Sequence, residues 1–239
     1  SMRLLRESIP CLGERGDGMG EAPLLSGERA QVVRNVIIEW YRRNGRTFPW
    51  RQSNDPFRIL IAEMLLRRTT ATAVARIYLD FVQRFDSLAR LARARKSTIE
   101  RALSTVGLQS VRATHLQQMA RTVLKEYDGL IPKNLAALEA LPGVGRYGAA
   151  AVMNFAFGVP KPMVDGNVVH LINRVFSLGV SDPTAGMIWE FMKQFGGSQD
   201  KRLYWGIIDL VATICLRKVP RCHDCPLSEH CDFYAANPK

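Results

Sequence analysis

Four of the five cysteines crowd into seventeen residues, as Cys215-x6-Cys222-x2-Cys225-x5-Cys231, and thiols at such spacing are either disulfide partners or metal ligands. The disulfide framework of a small secreted domain fits poorly, because the first residues carry no continuous apolar run of the kind that directs export and 239 residues are ample for a core. A zinc ribbon would carry two short-spaced pairs separated by a longer stretch. A single tight pair flanked by two lone cysteines favours a 4Fe-4S cluster held by Cys215, Cys222, Cys225 and Cys231. His223 and His230 lie inside the segment, but four thiolates complete a tetrahedral set, and both read as surface histidines.

Two carboxylates stand where carboxylates are unusual. Glu63 has Ile59, Leu60 and Leu66 as its i−4, i−3 and i+3 neighbours, so a helix through this segment turns it toward an apolar face. Unpaired there, it should keep its proton to near neutral pH, as a general acid must; paired with Arg67 or another arginine, it is a buried ion pair. Asp165, in Met163-Val164-Asp165-Gly166-Asn167, precedes the apolar-periodic stretch Val168 to Phe176, and taken alone it reads as a helix N-cap. Eighteen residues before it, Leu141-Pro142-Gly143-Val144-Gly145-Arg146-Tyr147 joins two helices through two glycines one residue apart. Such a turn bares backbone amides at a helix N-terminus, which suits a phosphate oxygen and needs no base contact; an ordinary glycine-rich connection is the other reading.

The elements that must position these groups are helical throughout. Apolar residues recur at helical spacing over Glu28 to Arg43, Phe57 to Arg68, Thr72 to Phe85, 86 to 94, 97 to 105, 110 to 127 and 134 to 140, with breaks at Asn44-Gly45, the proline-bearing loop Thr47 to Pro56, Gly107 and Asp128-Gly129. No alternating strand, no repeat of 20 to 50 residues and no low-complexity tract interrupts the pattern, so the chain is predicted to be all-α. Residues 1 to 28 lack a sustained period and read as an arm with no assigned function. The apolar and charged fractions, 47% and 23%, exclude a disordered or fibrous chain, and no apolar run is long enough to span a bilayer. A net charge of +11 favours a polyanionic partner, nucleic acid first.

Together LPGVGRY, the VDGN segment at its distance and the four-cysteine cluster resemble the helix-hairpin-helix DNA glycosylases of the iron–sulfur branch that includes endonuclease III, over about Arg29 to Tyr234. The resemblance implies two helical domains: a six-helix barrel over 54–164 that contains the hairpin, and a cluster domain built from 29–53 plus 165–239. Double-stranded DNA containing a mismatched or damaged base would bind between them, to a monomer expected in the cytoplasm, nucleoid-associated in a prokaryote. Family members that also cut the strand carry a lysine where Tyr147 stands. A phenol forms no imine, so a monofunctional enzyme is implied, with Lys161, nearby in sequence, the amine for any weak lyase activity. Asp165 would stabilise the oxocarbenium-like sugar and orient a water, while Glu63 would relieve charge on the departing base. Gly143, Val144, Gly145 and Arg146 would hold the backbone; Arg67, Arg68, Leu108 and Gln109 would fill the gap left by a flipped base; Arg217 and Lys218, with Arg221, would meet phosphates. The motifs look closest to thymine/uracil mismatch glycosylases. Adenine-mismatch enzymes share Glu63 and the Asp-Gly-Asn segment but usually carry two glutamines at Arg67 and Arg68 and extend beyond the point where this sequence ends. A catalytically silent DNA-binding protein would keep the glycines and cysteines but has no need of the carboxylate pair.

Overall fold

A computed structural model describes residues 27–196 and 200–237. The arm expected over 1–28 lies outside the described residues except for Gly27 and Glu28, which open the first helix. Twelve α-helices and no strand occur among the described residues, as the periodicity predicts. In chain order they are α1 (Gly27–Asn44), α2 (Pro56–Leu66), α3 (Ala71–Arg84), α4 (Leu88–Arg93), α5 (Lys96–Ala102), α6 (Gln109–Glu126), α7 (Leu135–Ala140), α8 (Gly145–Phe155), α9 (Gly166–Phe176), α10 (Gly186–Phe195), α11 (Arg202–Thr213) and α12 (Asp232–Ala236). None is long and apolar enough to cross a membrane. Two helix starts show why the boundaries fall where they do. Asp55 accepts from the Phe57 amide at 2.9 Å with Pro56 at the first helical position, and Asn134 accepts from the Ala137 amide at 2.9 Å.

α2 and α8 are apolar on nearly all sides, and a helix of that kind has to lie inside its neighbours rather than on the surface. Ile59 to Leu65 of α2 are all buried, and Gly148 to Phe155 of α8 likewise, with Gly148, Ala149, Ala150 and Ala151 small enough for the two helices to pack directly. Around them α2 also packs on α3 and α6, α4 and α5 pack on α6, and α7 packs on α8. The chain's start returns to its end: α1 packs on α10 and α11, α9 on α11 and α12. Gly206 makes the α1–α11 contact possible, since a Cβ there would sit 2.6 Å from the Ile37 Cγ2 and 3.1 Å from the Ile37 carbonyl oxygen. The two interior helices carry Glu63 and Tyr147, and α9 begins at Asp165. The most deeply packed elements therefore fix the residues that could do chemistry.

Candidate active site

Glu63 on α2, Tyr147 on α8 and Asp165 at the start of α9 line one cleft of about 980 Å³, walled by Trp50 and Trp205 and rimmed by Arg67, Arg68 and Arg146. That volume suits a nucleotide-sized group. Trp50 is held by stacking on Phe48 with ring centres 4.8 Å apart, and Trp205 packs on Phe155 at 5.1 Å.

The two carboxylates sit in different surroundings. Glu63 is 8% exposed and makes no ion pair among the described residues, so the paired reading does not hold; Arg67 instead donates to the Gly143 carbonyl. Burial, reinforced by the charge of Asp165 and opposed by Arg51, pushes the Glu63 carboxyl up to about 8. Asp165 is the helix cap that its sequence position allowed, and it also lines the cleft. One oxygen caps α9, accepting from the Asn167 and Val168 amides at 2.9 and 2.8 Å, and the other accepts from the Asn167 side chain at 3.0 Å. Burial raises its pKa, while these three donors and the charge of Arg217 favour the ionised form. Desolvation beside both carboxylates raises the Tyr147 phenol well above its ordinary range, so it is neutral. Lys161 does not line the cleft; its backbone N–H and carbonyl are instead tied to the Asn154 side chain at 3.3 and 2.8 Å.

The remaining expected residues fall outside this cavity or at its edge. Gly143 has φ of 80° and a Cβ there would meet His115 at 2.6 Å, so the hairpin needs glycine twice over, for its conformation and for the close approach of α6. Val144, the residue preceding α8, is buried and makes no side-chain cap, which leaves the first amides of that helix without a side-chain partner. The Arg146 guanidinium stacks 3.5 Å from the centre of the Trp189 ring. Arg67, Arg68, Leu108 and Gln109 are exposed, Leu108 at 52%, so it is no core leucine. Arg217 donates to the Gly166 carbonyl at 2.9 Å and thereby braces the turn beneath Asp165, Arg221 lies 3.7 Å from Asp224, and Lys218 is exposed.

Sequence reading missed a buried charge network in the cleft wall. Asp209 on α11, 0% exposed, accepts from Arg51 at 2.8 and 2.9 Å and pairs with Arg46 at 2.7 Å. The signal was available, because Asp209 is a lone acid in an apolar helix, as Glu63 is. Arg51, whose charge opposes the rise of the Glu63 pKa, is thus paired with Asp209 rather than with Glu63.

Cys215, Cys222, Cys225 and Cys231 border one small apolar pocket with Leu171, Leu227 and Phe233, and none of them is in a disulfide. No group of three or more His, Cys, Asp or Glu side chains among the described residues stands at metal-binding separation. The donor set still suits a thiophilic group: burial pushes the Cys225 thiol up to about 12, a cost that ligation by a cationic centre would reverse. His223 is exposed and His230 half-buried, and neither borders this pocket.

A buried and a half-buried carboxylate in a cleft sized for a nucleotide, beside a helix-hairpin-helix turn in an all-helical fold, define a DNA glycosylase of the helix-hairpin-helix class. A family model described as "HhH-GPD superfamily base excision DNA repair protein" matches residues 61–195, a span holding both carboxylates and the hairpin and ending before the cysteines. The chain is 36% identical over 212 residues to the thymine/uracil-DNA glycosylase of Methanothermobacter thermautotrophicus, covering 87% of this chain and 96% of that protein. It is 27% identical over 209 residues to the adenine DNA glycosylase of Buchnera aphidicola, covering 86% of this chain and 59% of that one. A solved structure of a thermostable thymine-DNA glycosylase superposes with a TM-score of 0.83 at 36% identity, over 88% of this chain and 99% of that one. The chain belongs to the HhH-GPD superfamily of base excision DNA repair proteins.

Proposed function

We propose that the protein is a monofunctional DNA glycosylase that hydrolyses the N-glycosidic bond of thymine or uracil mispaired with guanine in duplex DNA. The observation that carries this reading is that Glu63 and Asp165 line one cleft together with a phenol, Tyr147, close enough to feel both their charges, in place of an amine. Asp165, ionised, faces the positive charge that grows on the sugar and orients the attacking water. Glu63, protonated below about pH 8, meets the negative charge growing on the base. The choice of base rests on the likeness to a thymine/uracil enzyme over nearly its whole length, and on arginines at positions 67 and 68. To test it, the free base released from duplexes containing G·T, G·U, A·G and A·8-oxoguanine is identified by chromatography. Thymine and uracil are the expected products; adenine alone would replace this reading with the adenine-mismatch one, and no base from any bound duplex would favour a silent binder.

On this reading the hairpin Gly143 to Arg146 holds a phosphate through the first amides of α8, and Arg67, Arg68, Leu108 and Gln109 enter the gap that the flipped base leaves. Arg217 and Lys218 lie along the backbone. The protein acts as a monomer, with α2–α8 as one domain and α1 with α9–α12 as the other, a division supported by which helices pack on which. Cys215, Cys222, Cys225 and Cys231 hold a 4Fe-4S cluster that staples the C-terminal segment. A brown preparation absorbing at roughly 400 nm, with four irons per chain, is expected of an iron–sulfur protein; a colourless one with stoichiometric zinc would contradict the assignment.

The absence of strand cutting has its own test. Tyr147→Lys puts an amine in the cleft with the two carboxylates and is expected to yield a covalent protein–DNA adduct on borohydride reduction, which the unaltered protein does not form. An adduct from the unaltered protein would place the imine on another lysine and contradict the monofunctional assignment.

A further inference from the structure

The strongest side-chain cluster outside the cleft surrounds Arg112, on the first turn of α6. It is 6% exposed, and all five of its N–H donors are used. Nε donates to the Gly107 carbonyl at 3.0 Å; one terminal nitrogen donates to the Met64 and Leu65 carbonyls at 2.8 and 3.0 Å; the other donates to the Arg67 carbonyl and, at 2.7 Å, to the Thr69 hydroxyl. A guanidinium over the last carbonyls of a helix complements its dipole, and α2 alone would account for an arginine here. It does not account for Gly107, which belongs to the separate loop between α5 and α6. The Thr69 hydroxyl joins the same two loops, accepting from Arg112 and donating to the Val106 carbonyl at 2.9 Å.

Each loop that Arg112 grips carries a non-glycine residue in the left-handed region, Arg68 with φ of 54° and Leu108 with φ of 51°. Side chains rarely adopt that conformation unless their surroundings impose it. Both residues are exposed, and with Val111 they border a second, smaller cavity of about 130 Å³, whose lining shares Arg67 and Arg68 with the base-sized cleft. One turn along α6, His115 packs against Gly143, and Arg67 donates to the carbonyl of that same glycine. Two consecutive turns of one helix thus set the positions of three loops: the end of α2, the turn before α6 and the hairpin.

We infer that Arg112 is a positioning residue for base extrusion, locking the Arg68 and Leu108 tips in their outward conformation so that they enter a duplex without first being ordered. The inference rests on the proposal that these tips fill the gap left by the flipped base. Loops ordered in advance lose no conformational freedom when they engage the duplex, so the benefit falls on the step that breaks base pairing rather than on bond cleavage. Lysine at 112 keeps the charge but has three donors on a flexible stem and cannot span both loops.

The test is single-turnover base release by Arg112→Lys from a G·T duplex, and from the same duplex with the thymine placed opposite an abasic-site analogue, each rate taken relative to the unaltered protein. Release from G·T is expected to fall roughly 10- to 100-fold, the scale at which misplaced groups cost an enzyme, and release from the abasic-opposed thymine by no more than about threefold. Equal losses on the two substrates would overturn the inference in favour of a general structural role, as would no loss on either. Should Arg112→Lys fail to fold, Thr69→Val cuts the same link more gently; a smaller loss confined to the G·T duplex supports the inference, and a loss shared by both substrates or absent from both overturns it. If the unaltered protein releases thymine from neither duplex, it is the functional reading that fails, and the inference with it.

Discussion

Asp165→Asn is expected to lower base release by at least about 10³-fold while leaving affinity for duplex DNA equal or tighter, because it removes a charge that faces the transition state. The substitution keeps the helix cap and gives up one side-chain hydrogen bond, since the oxygen that accepts from the Asn167 side chain becomes an NH2 group. The oxygen that caps α9 accepts from two backbone amides, and an asparagine oxygen accepts the same bonds, so the helix start is kept. What disappears is the negative charge facing the sugar, and with it the repulsion of phosphate. Alanine at 165 would confound the two roles, since it would also cost about 1 kcal/mol through the lost cap. Unchanged release by the asparagine variant would show that Asp165 is a helix cap and nothing more, and the sugar's charge would then have to be met elsewhere.

Glu63→Gln carries two expected results of opposite sign. Base release should fall by about 10² to 10⁴, the usual worth of a positioned proton donor, and the remaining activity should lose its decline above about pH 8. Below that pH the unaltered protein is limited by Asp165, whose raised pKa sets the acid limb above the ordinary 3.8. Stability should move the other way. In the unfolded chain Glu63 loses its proton near the ordinary 4.5, in the folded one near 8, so across that window the folded state binds more protons and stability falls as pH rises. The loss is complete above pH 8 and reaches at most about 5 kcal/mol. Glutamine has no proton to lose, so the variant should gain in melting temperature relative to the unaltered protein between pH 5 and pH 9. A variant that stayed fully active, or whose melting temperature tracked the unaltered protein at both values, would mean that Glu63 is ionised and paired.

Helices were legible in the sequence wherever one side of a periodic pattern met the core, and the two that are apolar all round, α2 and α8, turned out to be the interior ones. The chemistry was legible where it broke that pattern: Glu63 among leucines and isoleucines, two glycines between helices, Asp165 ahead of an apolar run. Arg51 and Asp209 followed the same rule only in part. Asp209 was as anomalous as Glu63, but its partner lies 158 positions away and nothing local names it. Arg112 left no trace at all, because an arginine on an 18-residue surface-spanning helix looks like any other solvated charge. Its burial depends on two loops that come together in three dimensions and share no period. Leu108 was ambiguous for the same reason; a left-handed backbone exposes a leucine that spacing alone would bury.

The central claim is that the Glu63–Asp165 pair releases a base and leaves the strand whole, and the most direct test is single-turnover reaction of the unaltered protein with end-labelled G·U and G·T duplexes, each aliquot read with and without hot alkali. Strand breaks that appear at the modified position only after alkali are the result expected of hydrolysis without an imine. Breaks of equal extent without alkali would contradict the account, and would require an amine in the cleft where the structure holds Tyr147.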